Sequence, residues 1–202
     1  MRVVVRGVSP LIVRTIELSG TVTLAVLHEA LLVVFDWSGE HLHEFTIRSV
    51  DYSSDWLIDG LDTRTVSIDS LRLRPGERFA WCYDFTAGWV IDLRVEAVTV
   101  DALPAAVRCV SGRRAGPPEW CGGSGGFYAW EDGHSVSEFL DTVVEVRDGV
   151  DVDGEPVDAS DAVEHLRAVS RWMLRGRFEK TVVNRALAAL EVPACVSSSR
   201  SG

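Results

Sequence analysis

The sequence predicts an α+β fold: a mixed, largely antiparallel sheet with helices packed outside it. Three observations carry that expectation. The chain opens with two β-branched runs, MRVVVRGV and LIVRTIEL, joined through Ser9-Pro10. A helical stretch follows, in which Leu24, Leu27, Leu31, Val34 and Phe35 recur as one apolar stripe. Two further strand-like runs, Arg78–Phe85 and Trp89–Val100, are separated only by Thr86-Ala87-Gly88, a connection short enough for an antiparallel hairpin.

Taken in order, the opening runs form a hairpin punctuated by Gly7 and Pro10 and ended by Gly20. Thr23 is placed to cap the helix, because its hydroxyl can accept an unpaired amide hydrogen of the first turn. Asp36–Glu40 (DWSGE) ends that helix, and HLHEFTI reads as a strand by alternation. His41, His43, Phe45 and Ile47 share one of its faces; Leu42, Glu44 and Thr46 share the other. Hairpin, helix and strand make a β-grasp-like opening, with the hairpin expected beside HLHEF and the second hairpin extending the sheet. Asp51–Thr65 reads as a loop with a short edge element at Trp56-Leu57-Ile58, and Ser67–Leu71 as one capped helical turn. Residues 101–130 hold GRRAGPPEWCGGSGGFYAW, too rich in glycine and proline for a regular element. Trp120, Phe127, Tyr128 and Trp130 are nevertheless anchors that predict an ordered loop, docked near Asp84 and Trp89. Helices are expected over Val136–Val146, from Ser160 to about Leu174, and over Glu179–Leu190. Residues 1–190 read as a single domain and 191–202 as a frayed tail.

With 202 residues, 47% hydrophobic and 25% charged, the chain can bury one sizeable core. It has no membrane-length apolar run and no signal-peptide pattern, which predicts a cytoplasmic protein without a membrane partner. A net charge of −10 disfavours a broad nucleic-acid surface, since neutralising phosphates drives such binding. A protein partner is the expectation, and the oligomeric state is not readable. Cys82, Cys109, Cys121 and Cys195 form no C-x-x-C pair and read as free thiols.

Several motifs stand in order between Val3 and Leu190: RGVSP, TLAVLHEALLVVFDW running into HLHEF, RFAWCYDF followed by Trp89, GRRAGPPEWCGG, and Val183-Asn184-Arg185. Together they resemble the root-inducing-plasmid open-reading-frame-three-like proteins. The resemblance implies an α+β domain and an association with mobile elements; some members carry a transposon-resolvase label. Where that family usually has a second acid and a histidine around its tryptophan, this chain has Ala87 and Ile91. Gly116 and Trp120 stand where a cysteine and an aspartate are usual, and Val13 where tryptophan is common. The apolar framework is kept while polar positions are lost.

That pattern favours a non-catalytic interaction or accessory module. The alternative is a metal-dependent hydrolase or nuclease with a depleted site. His41, His43, Asp84 and Glu119 are its candidate catalytic residues, and His41, His43, Cys109 and Cys121 its candidate metal ligands. No cofactor is expected on the leading reading; a divalent metal belongs to the alternative. Candidate contact residues are Trp89, Trp120, Arg113, Arg114 and Tyr128. A serine-recombinase centre at Ser111, among Arg108, Arg113 and Arg114, lacks a nearby base. Gly122–Gly126 lacks the Gly-Lys-Ser/Thr ending of a phosphate loop, and Asp148–Glu155 fails the register of a calcium loop.

Overall fold

The computed structural model describes residues 1–55, 57–100, 106–132, 136–150, 156 and 178–190. Its strands are β1 (Arg2–Val5), β2 (Val13–Leu18), β3 (His43–Ile47), β4 (Val50–Tyr52), β5 (Arg78–Tyr83), β6 (Trp89–Arg94) and β7 (Val107–Arg113). The helices are α1 (Leu24–Phe35), α2 (Gly123–Asp132), α3 (Val136–Asp148) and α4 (Lys180–Ala188), with short 3-10 turns at Asp69–Leu71 and Glu119–Cys121. The Ser160–Leu174 helix and the 191–202 tail lie outside the described residues.

The α+β class holds. The seven strands form one sheet in the order β4-β3-β5-β6-β1-β2-β7, and every strand pairing is antiparallel. The expected mixed character is therefore corrected; the parallel contact is an isolated bridge between Tyr52 and Leu61. The β-grasp-like placement is corrected too. The opening hairpin β1–β2 does not lie beside β3, because β5–β6 is inserted between them. β5 pairs with β3 and β6 with β1. The physical reason lies in the inward residues: Phe79, Trp81 and Tyr83 on β5, with Trp89, Ile91 and Leu93 on β6, are all buried. The most aromatic hairpin takes the middle of the sheet, where both neighbours cover it.

Strand alternation places Val3 and Val5, Arg14 and Ile16, and Phe45 and Ile47 on the core face. Thr23 caps α1 as expected, accepting from the Val26 amide at 3.3 Å. The helix stops at Asp36, which adopts a left-handed conformation (φ 62°), and the Asp36 amide folds back onto the last-turn carbonyls. More than the predicted stripe is buried: Val26, His28, Ala30 and Leu32 join it. β6 ends at Arg94 rather than Val100.

The Gly/Pro-rich stretch is the main correction. Within residues 106–130 lie all of β7, a 3-10 turn and α2 up to Trp130, not a loop. Its glycines meet close backbone approaches: a Cβ on Gly123 would lie 1.9 Å from the Ala87 carbonyl oxygen, and one on Gly126 1.9 Å from that of Cys121. Gly122–Gly126 is thus the entry and first turn of a helix.

Candidate functional site

Asp84 follows β5 in a left-handed conformation (φ 51°). One of its oxygens accepts the amides of Thr86 and Ala87 at 3.0 and 3.2 Å, which closes the β5–β6 turn. The other faces His41 Nε2 at 3.8 Å, and Glu119 Oε1 lies 3.7 Å from the same nitrogen. His41 is 45% exposed, so three of the four candidate catalytic residues meet at a surface notch.

Glu119 is already committed to internal partners. Its Oε2 accepts the Ser38 amide at 2.6 Å, and its Oε1 accepts the Ser38 hydroxyl at 2.9 Å and the Tyr83 hydroxyl. Its backbone carbonyl accepts Trp89 Nε1–H at 3.0 Å, and Trp37 Nε1–H donates to the Pro117 carbonyl at 2.8 Å. Burial pushes the Glu119 carboxyl up, but the hydrogen bonds from Tyr83 and Ser38 outweigh it and hold the group below its ordinary value. Tyr83 is pushed up to about 12, by burial and then by its bond to Glu119. Chemically, the cluster is a carboxylate lock joining the Pro117–Cys121 segment to the end of α1 and to β5.

His43 does not join it. It points into the core and stacks on His28, ring centroids 3.4 Å apart and nearly parallel at 7°. The H-x-H pair is split because His41 precedes β3 while His43 begins its inward alternation. Burial lowers the pKa of His28 to about 3 and of His43 to about 4, and proximity to His43 adds to the effect on His28. Cys109 lies on β7, its amide and carbonyl held by Asn184 of α4, and Cys121 turns its thiol to the Gly123 carbonyl. Neither cysteine belongs to a histidine cluster, and no group of three or more His, Cys, Asp or Glu suited to a metal occurs among the described residues. Among the described residues, His41, His43, Cys109 and Cys121 do not form such a group.

The contact candidates divide. Trp89 is fully buried and is an internal donor, not a surface contact. Trp120 is 75% exposed, edge-on to Trp130. Tyr128 is exposed, yet its hydroxyl accepts the Ser9 amide at 2.8 Å. Arg114 donates to the Pro10 carbonyl at 2.9 Å and pairs with Glu131, while Arg113 is exposed. Ser111 is exposed on β7, and Arg108 pairs with Glu17.

Sequence reasoning missed Ser38, Tyr83 and Arg14. The signal for Tyr83 was its inward parity with Phe79 and Trp81. Arg14 had the same signal, two residues before Ile16 on the inward face, but its charge argued for solvent. It is 1% exposed and donates to the carbonyls of Val34 at 2.8 Å and of Val13 and Arg113 at 2.9 Å. Burial lowers its pKa to about 10, which leaves it charged at neutral pH.

The model of the plasmid pRiA4b ORF-3-like protein family matches residues 1–135, from β1 through α2. The chain belongs to that family. The uncharacterised protein y4hQ of Sinorhizobium fredii is 30% identical over 138 residues, 63% of this chain and 68% of that protein. A crystal structure of MM3350 from Methanosarcina mazei Go1, described as a protein of unknown function, superposes with a TM-score of 0.59. It is 25% identical, and the match covers 79% of this chain and 94% of that one. The matched residues 1–135 include Ser38, Tyr83 and Glu119 of the lock together with His41 and His43.

Proposed function

We propose that this chain is a non-catalytic interaction or accessory module, cytoplasmic and carried with mobile-element genes. The setting is suggested by the plasmid named in the family's description. The role is carried by one observation: both oxygens of Glu119, the best-placed candidate acid, are engaged by Ser38 and Tyr83. A catalytic carboxylate needs a face open to substrate or metal. Here Asp84 and His41 offer one free oxygen and one nitrogen, whereas a catalytic zinc site ordinarily takes three protein ligands.

The alternative, a metal-dependent hydrolase or nuclease, is favoured by the approach of His41 to both Asp84 and Glu119. Zinc and manganese titrations by calorimetry, with elemental analysis of the purified protein, separate the two readings. We expect no stoichiometric metal and no metal-stimulated hydrolysis of a phosphodiester reporter. Stoichiometric metal lost in His41→Ala, together with hydrolysis lost in the same variant, overturns the non-catalytic reading.

A further inference from the structure

The sheet face turned away from α1 gathers positive charge on a chain whose net charge is −10. Because Val3 and Val5 face the core, Arg2 and Val4 face outward; by the same alternation Val13, Thr15, Arg78, Asp92 and Arg94 do so on their strands. The register sets Arg78 directly opposite Arg94, and Arg94 directly opposite Arg2. Thr15 and Ser111 continue that line onto β2 and β7. One step along the strands, Arg113 stands opposite Val13.

Directly opposed side chains lie about 5 Å apart at Cβ, and like charges there repel. Arg6 and Arg108 find carboxylates in Asp92 and Glu17. Among the described residues, no ion pair or hydrogen bond engages the guanidinium of Arg2, Arg78, Arg94 or Arg113. Beside Arg2 and Arg113 the surface sinks into a cavity of about 720 Å³, walled by Leu11 and Val13, with Glu96 the one acid lining it among the described residues.

We propose that this face binds an acidic segment of a partner protein in which carboxylates alternate with apolar side chains, an inference that rests on the interaction-module reading and names its surface. The carboxylates meet the Arg78–Arg94–Arg2 row, where planar guanidinium groups donate bidentate N–H bonds to them. An apolar side chain enters the cavity against Leu11 and Val13. Nucleic acid fits less well. The outward residues of β1, β2, β5 and β6 include no aromatic ring on which a base can stack. A dense phosphate array also meets the repulsion of ten net negative charges, whereas a short segment with a few acids meets less.

The test uses the full chain and a fluorescent synthetic peptide alternating glutamate with leucine, followed by anisotropy at about 0.05 and 0.3 M salt. The parent protein binds it, more weakly at high salt. Arg2→Thr with Arg94→Thr weakens binding by about tenfold or more, and Leu11→Ser weakens it without changing the salt dependence. The charge-matched pair Arg64→Thr with Arg147→Thr, on residues paired to Asp62 and Asp148, leaves affinity within about twofold. Removing opposed arginines relieves repulsion, so the binding-deficient variant melts at or above the parent's temperature, which separates loss of the site from loss of the fold. No binding at low salt, equal losses in both arginine pairs, or tighter binding of an oligonucleotide of equal charge overturns the proposal. Failure here without metal-dependent hydrolysis leaves the non-catalytic reading standing; hydrolysis with peptide binding intact does the reverse.

Discussion

Arg14 shows how one residue departs from its class for a physical reason. Its guanidinium lies between the Phe35 ring, 5.4 Å away, and the Phe178 ring, 4.3 Å away. It donates to Val34 in the last turn of α1, where the helix dipole favours a cation. Arg14→Met keeps much of the volume but orphans buried carbonyls, so unfolding free energy should fall by about 2–4 kcal/mol in urea titration. The His28–His43 stack makes a second residue-scale prediction. His28 Nδ1 and His43 Nε2 are buried without a hydrogen-bond partner, and the neighbours that bear on their charge are Glu29 and Asp55. Both rings are neutral when folded, with values lowered to about 3 and about 4. In the unfolded chain they bind protons below about pH 6.5. Stability is therefore fully present above that pH and falls as pH drops from about 6.5 toward 4, by up to about 1.4 kcal/mol per pH unit for each histidine. His28→Leu should flatten that slope in melts across pH 4–7 (about the range spanned). Alternation made the inward face of His43 legible in sequence. Its pairing with His28 was not, because that depends on which turn of α1 crosses β3.

At the scale of elements, α2 is the instructive case. Five residues from Gly122 to Gly126 include four glycines, and glycine disfavours helices by about 1 kcal/mol relative to alanine. Here close packing overrides propensity. Gly123 sits against the Ala87 carbonyl with φ 75°, and Gly126 against that of Cys121, whereas Gly125 has nothing within 4 Å of an added Cβ. Gly125→Ala should therefore stabilise by about 0.5–1 kcal/mol. Gly123→Ala should destabilise by more than that and speed amide exchange through α2. Thermal melts and hydrogen exchange of the two variants check the contrast. The aromatics that made order predictable do hold the segment: Phe127 is fully buried, Trp130 stacks on it at 6.1 Å, and Tyr128 binds the Ser9 amide. Composition alone concealed the helix because a glycine chosen for close approach looks the same in sequence as one in a loop.

At the scale of the whole molecule, the opening hairpin and the β5–β6 hairpin were legible in sequence, while β3–β4, whose edge strand is Val50–Tyr52 and not the expected element at residues 56–58, and the order of hairpins in the sheet were not. Antiparallel pairing between β6 and β1 joins residues almost ninety positions apart, such as Val5 and Ile91, and no local pattern encodes that choice. The same is true of the long-range closure at Glu119. After β7, on the far edge of the sheet, the chain returns across it and fastens to Ser38, Tyr83 and Trp89. Glu119→Gln keeps the shape but puts an NH₂ donor against groups that need an acceptor. It should lower stability by about 1–3 kcal/mol in urea unfolding. Ionisation of Tyr83 should also move down from about 12, because the neighbouring negative charge that opposes phenolate formation is gone. His41→Ala, at 45% exposure and 3.7 Å from Glu119, should change stability by less than about 1 kcal/mol. Measuring both variants with ultraviolet titration of tyrosine distinguishes a structural lock from an acid poised for chemistry. A lock ties the Tyr83 shift and the stability loss to Glu119 alone, whereas comparable losses in both variants would make His41 part of the same unit.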